Sequence, residues 1–191
     1  WEGVDKMYGS YLNSYLLRGY KNLKAGKYKE ALKDGLTAMQ YPTNMMVARE
    51  YRGGRECEVY YFVGTVYEKM GDNTKALEYW NGGINLRQRD NISEIYFYKA
   101  MCLKNAGKPD EAAEIFDGLI NVGKAKIDRE EVDFFEKFGE RQTSDDRKAD
   151  GHYLMGLGYL GKGMQKEAKQ EFSDAVRLNI NHIWANKYVT D

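Results

Sequence analysis

Proline is nearly missing from this chain, with Pro42 and Pro109 the only two in 191 residues. Proline removes a backbone donor and clashes with the preceding turn, so its scarcity admits long uninterrupted helices. Cysteine is equally rare. Cys57 and Cys102 are too few for a disulfide framework in a chain this long, and each falls where the periodicity is helical. Small buried thiols are the simplest role for them. The two histidines, His152 and His182, have no cysteine or second histidine at ligand spacing, which argues against a zinc site. No apolar run approaches the roughly 20 residues that span a bilayer, and no secretory leader is visible. Charge of one sign is also lacking. Twenty-nine basic and twenty-nine acidic residues cancel, leaving no overall field to draw in nucleic acid or an anionic membrane.

Tyrosine, by contrast, is abundant, at sixteen residues. Its ring fills space between helices while its hydroxyl stays polar, so it suits both packing and a binding face. The chain begins at Trp1 and not at methionine. It reads as an excised part of a longer polypeptide, with any targeting signal upstream, and nothing in it selects cytoplasm over periplasm.

The organising stretch is Cys57 to Asp90. Tyr60, Val63, Gly64 and Tyr67 recur at helical spacings of three and four. Met70-Gly71-Asp72-Asn73 then breaks the pattern, and Ala76, Leu77, Trp80, Gly83 and Ile84 share one face of a second helix. Small residues, Gly64 opposite Ala76, sit where two backbones must cross closely. The result is a helix-turn-helix hairpin of about 34 residues.

Three further windows repeat it. The first covers 12–45, with Tyr15, Gly19, Ala25-Gly26-Lys27-Tyr28, Ala31, Gly35 and Ala38, closed by Tyr41-Pro42. Residues 1–10 can begin or cap a helix but do not make a full unit. A spacer, Met46 to Glu56, follows, with Gly53-Gly54 as its expected break. The third hairpin covers 93–126, with Ser93 able to cap it and Pro109 in the first turn of its second helix, where a missing N–H costs nothing. The fourth covers 149–182. Between them lies an insert, 127–148, in which Val132, Phe134, Phe135 and Phe138 predict a short aromatic helix ending near Gly139, with Thr143 or Ser144 capping the next helix. Residues 183–191, with Ile183, Trp184 and Tyr188, predict a short helix covering the end of the stack. Ala31, Ala76, Ala112 and Ala168 hold matching positions in the four windows.

These residues resemble the tetratricopeptide repeat family over most of the chain. The resemblance implies an all-α, right-handed superhelix, an α-solenoid of about four hairpins with a C-terminal capping helix, folded as a single domain over 1–191. Gly35 departs from the pattern where the family prefers an aromatic residue, Ala100 replaces a glycine, and the proline at a unit's end survives only as Pro42. A narrower resemblance is carried by YPTN with its charged spacer, EVYYFVGTVYEKMGD, EIYFYKAMCLKNAGK, IFDGLINVGKAKI, FFEKF and YLMGLGYLGKG. These look like the C-terminal repeat regions of large bacterial proteins of gut Bacteroidetes, whose N-terminal part is a conserved β-rich domain without an assigned role.

No catalytic constellation emerges. Gly156-x-Gly158-x-x-Gly161 satisfies the dinucleotide fingerprint literally, yet no strand precedes it, and Gly156 holds a helix-crossing position. Glu130-Glu131 and Asp145-Asp146 are adjacent pairs, whose side chains diverge by about 100° on a helix, so neither pair converges on one atom. His152 holds a packing position of its hairpin. No enzyme activity, cofactor or metal is called for.

The family resemblance implies that first-helix side chains line a concave groove. By position these are Asn13, Leu16, Tyr20 and Lys24, then Glu58, Tyr61, Thr65 and Lys69, then Glu94, Phe97, Met101 and Asn105, then Asp150, Tyr153 and Leu157. The row Leu16, Tyr61, Phe97 and Tyr153 is apolar or aromatic throughout, and suits apolar side chains, a helix or a flat ligand. Two readings of this row stand: an open groove, or packing against neighbouring helices or the aromatic insert. The expected function is a protein–protein interaction or intramolecular docking scaffold for a peptide, a protein or another domain of the same polypeptide. The alternatives are an accessory domain of a larger carbohydrate-related bacterial enzyme with its active site upstream, and a small-molecule binder.

Overall fold

The computed structural model describes residues 4–40, 55–87, 91–129 and 144–190. Among the described residues the chain is all-helical, with nine helices and no strand. These are α1 (Val4–Lys24), α2 (Tyr28–Met39), α3 (Glu56–Lys69), α4 (Asn73–Asn85), α5 (Glu94–Asn105), α6 (Pro109–Asp128), α7 (Ser144–Gly161), α8 (Gln165–Leu178) and α9 (Ile183–Thr190). The expected hairpins are present as α1–α2, α3–α4, α5–α6 and α7–α8. Pro109 opens α6, and α9 is the expected short terminal helix.

Two helices outrun their expected windows. α1 starts at Val4 and α6 continues to Asp128, while α7 starts at Ser144, one of its two expected caps. Neither extension contains proline, so nothing stops helical hydrogen bonding from propagating through them. The expectations for Tyr41-Pro42, for the Gly53-Gly54 break and for the Phe134–Phe138 helix lie outside the described residues.

All four hairpins turn the same way. Gly26, Gly71, Gly107 and Gly163 have φ between 72° and 83°. In each turn the residue after the glycine donates to the carbonyl five residues back, and the glycine donates to the carbonyl three back. Lys27 N bonds Asn22 O at 2.9 Å and Gly26 N bonds Leu23 O at 3.0 Å; Asp72 N and Gly71 N do the same to Tyr67 O and Glu68 O. This is the Schellman closure, and its left-handed residue favours glycine. Asp72 then caps α4, its carboxylate accepting from Lys75 N at 3.0 Å.

The chain separates into two compact units, 1–90 with 101–109, and 91–100 with 110–191. In the first unit, α3 and α4 cross where a Cβ on Gly64 would stand 2.5 Å from the indole of Trp80 and 3.1 Å from Ala76 O. The departure at Gly35 has a structural counterpart. Phe62 of α3 fills the room beside it, and a Cβ on Gly35 would approach Phe62 within 2.9 Å and Val63 within 2.7 Å. The aromatic ring missing from α2 is supplied by the next hairpin. Leu12, Leu16, Phe62, Val63 and Val66 of this unit are fully buried.

In the second unit, α6 and α7 approach backbone to backbone, a Cβ on Gly123 standing 2.5 Å from Gly151 O. Gly156, Gly158 and Gly161 all lie inside α7. Gly156 accommodates Phe172, Gly158 accommodates Phe116 O and Ile120, and Gly161 faces Phe116. The run that mimics a dinucleotide fingerprint is a packing stripe. The four matching alanines, Ala31, Ala76, Ala112 and Ala168, expose at most 1% of their surface.

Gly64→Ala should therefore force Trp80 or the α3–α4 backbone to move, lowering stability by about 1–3 kcal/mol in urea unfolding. An unchanged midpoint would mean the crossing is looser than these distances.

Candidate functional site

The candidate residues occupy corresponding positions on the first helices of the hairpins, and the structure divides them sharply by burial. Leu16 and Leu157 expose nothing, and Phe97 and Tyr153 expose 3% and 6%. As placed, these four offer no surface to a partner, which corrects the expectation that they line an open groove. The packing alternative describes them. Phe97 lies edge-on to Tyr98 at 5.3 Å and tilted to Phe116 at 6.1 Å. Tyr153 lies 4.5 Å from the ring of His182 and 5.9 Å from Phe172.

Tyr61 is partly exposed, and its inner side packs against the Ala76, Trp80 and Cys102 cluster. Lost hydration pushes its hydroxyl up to about 12, against a lowering by Thr65. It therefore stays protonated throughout the physiological range.

The other rows reach solvent. Tyr20 is half-buried, its ring set edge-on to Phe62 at 4.8 Å. Thr65 is half-buried and donates to Tyr61 O at 2.9 Å, the helical back-bond. Met101 and Asn105 are half-buried, while Lys24 and Lys69 are exposed, Lys69 standing 3.9 Å from Glu68. Tyr20, Tyr61, Thr65, Lys69, Met101 and Asn105 all belong to the first unit.

The charged first row is engaged internally. Arg55, just before α3, donates from Nη1 to Asn13 Oδ1 at 2.6 Å and from Nε to Glu58 Oε2 at 2.8 Å. Glu58 is buried, so this guanidinium both neutralises it and ties α3 to α1. Asp150 Oδ1 stands 3.8 Å from His182 Nε2. Glu94 is exposed.

Several polar arrangements were invisible to pattern reading. Arg18 grips the buried Asp34 from Nε at 3.1 Å and from Nη2 at 2.6 Å, and Asn22 Nδ2 adds a third donor at 3.1 Å. The only hint was a charged residue on a face of α2 otherwise made of alanine and glycine. Histidine His152 is partly buried, as expected for a packing position, with Nδ1 2.7 Å from Glu171 Oε2. His182 caps α9, its Nδ1 accepting from Ala185 N at 3.2 Å. That bond requires the neutral ring with its proton on Nε2. Burial lowers the His182 pKa, and the nearby Asp150 and Glu94 carboxylates only partly oppose it.

Cys57 and Cys102 are free and fully buried, and they converge. The space beside Gly83 is shared by Cys102 Sγ and Cys57 Sγ, at 3.0 and 3.6 Å from a Cβ built there. A hydrogen bond with Cys57, reinforced by burial, pushes the Cys102 thiol far up. Among the described residues no group of three metal-ligating side chains forms, and no helix is long and apolar enough to cross a membrane.

Comparison with known proteins matches two of the hairpins to a described repeat. Two family profiles described as tetratricopeptide repeat match residues 58–90 and 94–122. These are the α3–α4 hairpin and the α5–α6 hairpin as far as Val122. A curated relative, the photosystem I assembly protein Ycf3 of Rippkaea orientalis, is 30% identical over 107 residues, 53% of this chain. The match takes in 57% of that protein's length, so the chain spans little more than half of it. Among solved structures, residues 41 to the end of MamA from Desulfovibrio magneticus RS-1 is 17% identical with a TM-score of 0.34, covering 94% of this chain and 81% of that one. A structure described as YrrB, a TPR protein with an unusual peptide-binding site, is 21% identical with a TM-score of 0.32, covering 94% and 75%.

Two outcomes follow from this geometry. A His182 pKa lowered by folding means that the unfolded chain binds more protons, so stability is complete above about pH 6.5 and falls as pH drops through and below that value. The protection factor of the Ala185 amide, corrected for the intrinsic pH dependence of exchange, should fall on acidification toward about pH 5, and His182→Gln should flatten that dependence. Neither thiol should react with a disulfide reagent such as DTNB until the chain is unfolded in urea, because the thiolate is the attacking species. Rapid labelling of the folded chain would contradict their burial.

Proposed function

We propose that the chain is a non-catalytic scaffold that binds a peptide or protein segment, including one from elsewhere in its own polypeptide. The repeat matches at 58–90 and 94–122 carry this reading. Helical hairpins of this kind stack so that each buries its neighbour's apolar face, and the surface left over serves as an extended binding face. The assembly role in the name of the cyanobacterial relative supports the same class of function.

The contact surface in this reading is the solvent-reaching part of the first unit's rows: Tyr20, Thr65 and Met101, then Lys69 and Asn105. Half-buried Tyr and Met supply apolar area on rigid helices, and Thr, Lys and Asn supply polar selectivity. Leu16 in the first unit, and Phe97, Tyr153 and Leu157 in the second, are buried within the scaffold.

Peptides selected from a random phage-displayed library on the whole chain provide the test. Tyr20→Ala, Met101→Ala and Asn105→Ala should each weaken the selected peptides about tenfold, near 1.4 kcal/mol, with an unchanged far-ultraviolet circular dichroism spectrum. Leu157→Ala should instead lower stability by about 2–5 kcal/mol. Selection that enriches no peptide, or peptides indifferent to all three surface changes, would reject the reading.

A further inference from the structure

The four hairpin tips are alike in backbone and unlike in charge. Around Gly26, residues 21–33 carry Lys21, Lys24, Lys27, Lys29 and Lys33 against the single carboxylate Glu30, and all six side chains are exposed. The same window around Gly71 has two lysines against three carboxylates, and so has the one around Gly107. The window around Gly163 has three lysines against one. In a chain whose charges cancel overall, the first tip holds a local excess of four positive charges. These residues lie within seven positions of Gly26, about 10 Å along either helix, comparable to the screening length in about 0.1 M salt.

At the start of α2 the placement also runs against helix electrostatics. Lys27 is the N-cap of α2 and makes no side-chain cap bond, and Lys29 sits in the first turn. Cations at that end oppose the macrodipole. The positions equivalent to Lys27 hold Asp72, Lys108 and Met164, and those equivalent to Lys29 hold Thr74, Asp110 and Lys166, so only the first tip carries lysine at both. Local stability therefore does not account for Lys27 and Lys29, whereas Lys21 and Lys24 suit the C-terminal end of α1.

We infer that the tip of the α1–α2 hairpin docks a short acidic segment, rich in Glu and Asp, of the protein partner. This rests on the scaffold reading above and adds the chemistry of the partner. Ammonium groups on flexible stems read charge and not shape, which fits a carboxylate-rich segment of variable sequence. An extended polyanion is less suited, since it would also meet the carboxylates that balance the charge of the remaining chain.

The test is fluorescence polarisation of a labelled peptide of alternating Glu and Ser with the whole chain. Binding should weaken steadily as salt rises from about 50 to about 300 mM. A Lys27→Glu/Lys29→Glu/Lys33→Glu variant should lose at least about tenfold in affinity. Its melting temperature should hold or rise, because carboxylates suit the start of α2. A Lys166→Glu/Lys169→Glu variant, altering the tip around Gly163, should bind as the parent does. Equal loss in both variants, or no salt-sensitive binding, overturns the inference. So does tip-dependent binding of phosphatidylserine vesicles or single-stranded RNA in preference to the peptide. If library-selected peptides still bind the first-tip variant while the acidic peptide never binds the parent, the scaffold reading survives and the acidic partner does not.

Discussion

Close approach between helix backbones is the constraint on which the rest of the structure depends. Gly64 under Trp80, Gly123 against Gly151 O, and Gly156 under Phe172 leave no room for a Cβ. With that clearance, large side chains bridge neighbouring helices, and Phe62, Phe116 and Phe172 each occupy space that a glycine on another helix vacates. Dispersion falls steeply with separation, so contacts at this range convert many small attractions into a rigid layer. Schellman closure at the four positive-φ glycines sets the antiparallel pairing that makes the approach possible.

Burying so much aromatic surface consumes residues that would otherwise be available for recognition. Phe97 and Tyr153, which look like groove anchors in the sequence, are spent on packing against Phe116 and His182. In the proposed scaffold, recognition would fall to the half-exposed Tyr20, Thr65 and Met101 and to the charges around them. Two buried carboxylates are engaged in the same economical way. Asp34 is held by Arg18 and Asn22, and Glu58 by Arg55, which also reaches Asn13. Each pairing couples two helices, so neutralising a buried carboxylate and fixing helix register are one act.

Charge is the property least tied to the fold. The tips around Gly26 and Gly71 share their backbone closure but carry opposite net charge. Exposed positions can differ this way without disturbing the packed layer, and that freedom lets similar scaffolds serve different partners. The reading of the chain as part of a carbohydrate-related enzyme draws no support from the proteins it resembles.

The sequence by itself determined the helical class, the four hairpins, the turns at Gly26 and Gly71 and the matching alanines. Each of these rests on local chemistry: a 3.6-residue period, a residue tolerant of positive φ, and small side chains at regular spacing. Only the tertiary structure decided which aromatic positions reach solvent. Leu16, Tyr61, Phe97 and Tyr153 share one register position, yet Tyr61 keeps an exposed edge and the other three do not. Burial depends on what a different helix brings alongside, as His182 does for Tyr153. The meeting of Cys57 with Cys102 and the filling of the Gly35 space by Phe62 were hidden for the same reason. Periodicity reports which face of a helix is apolar, and the neighbouring elements decide how deeply that face is covered.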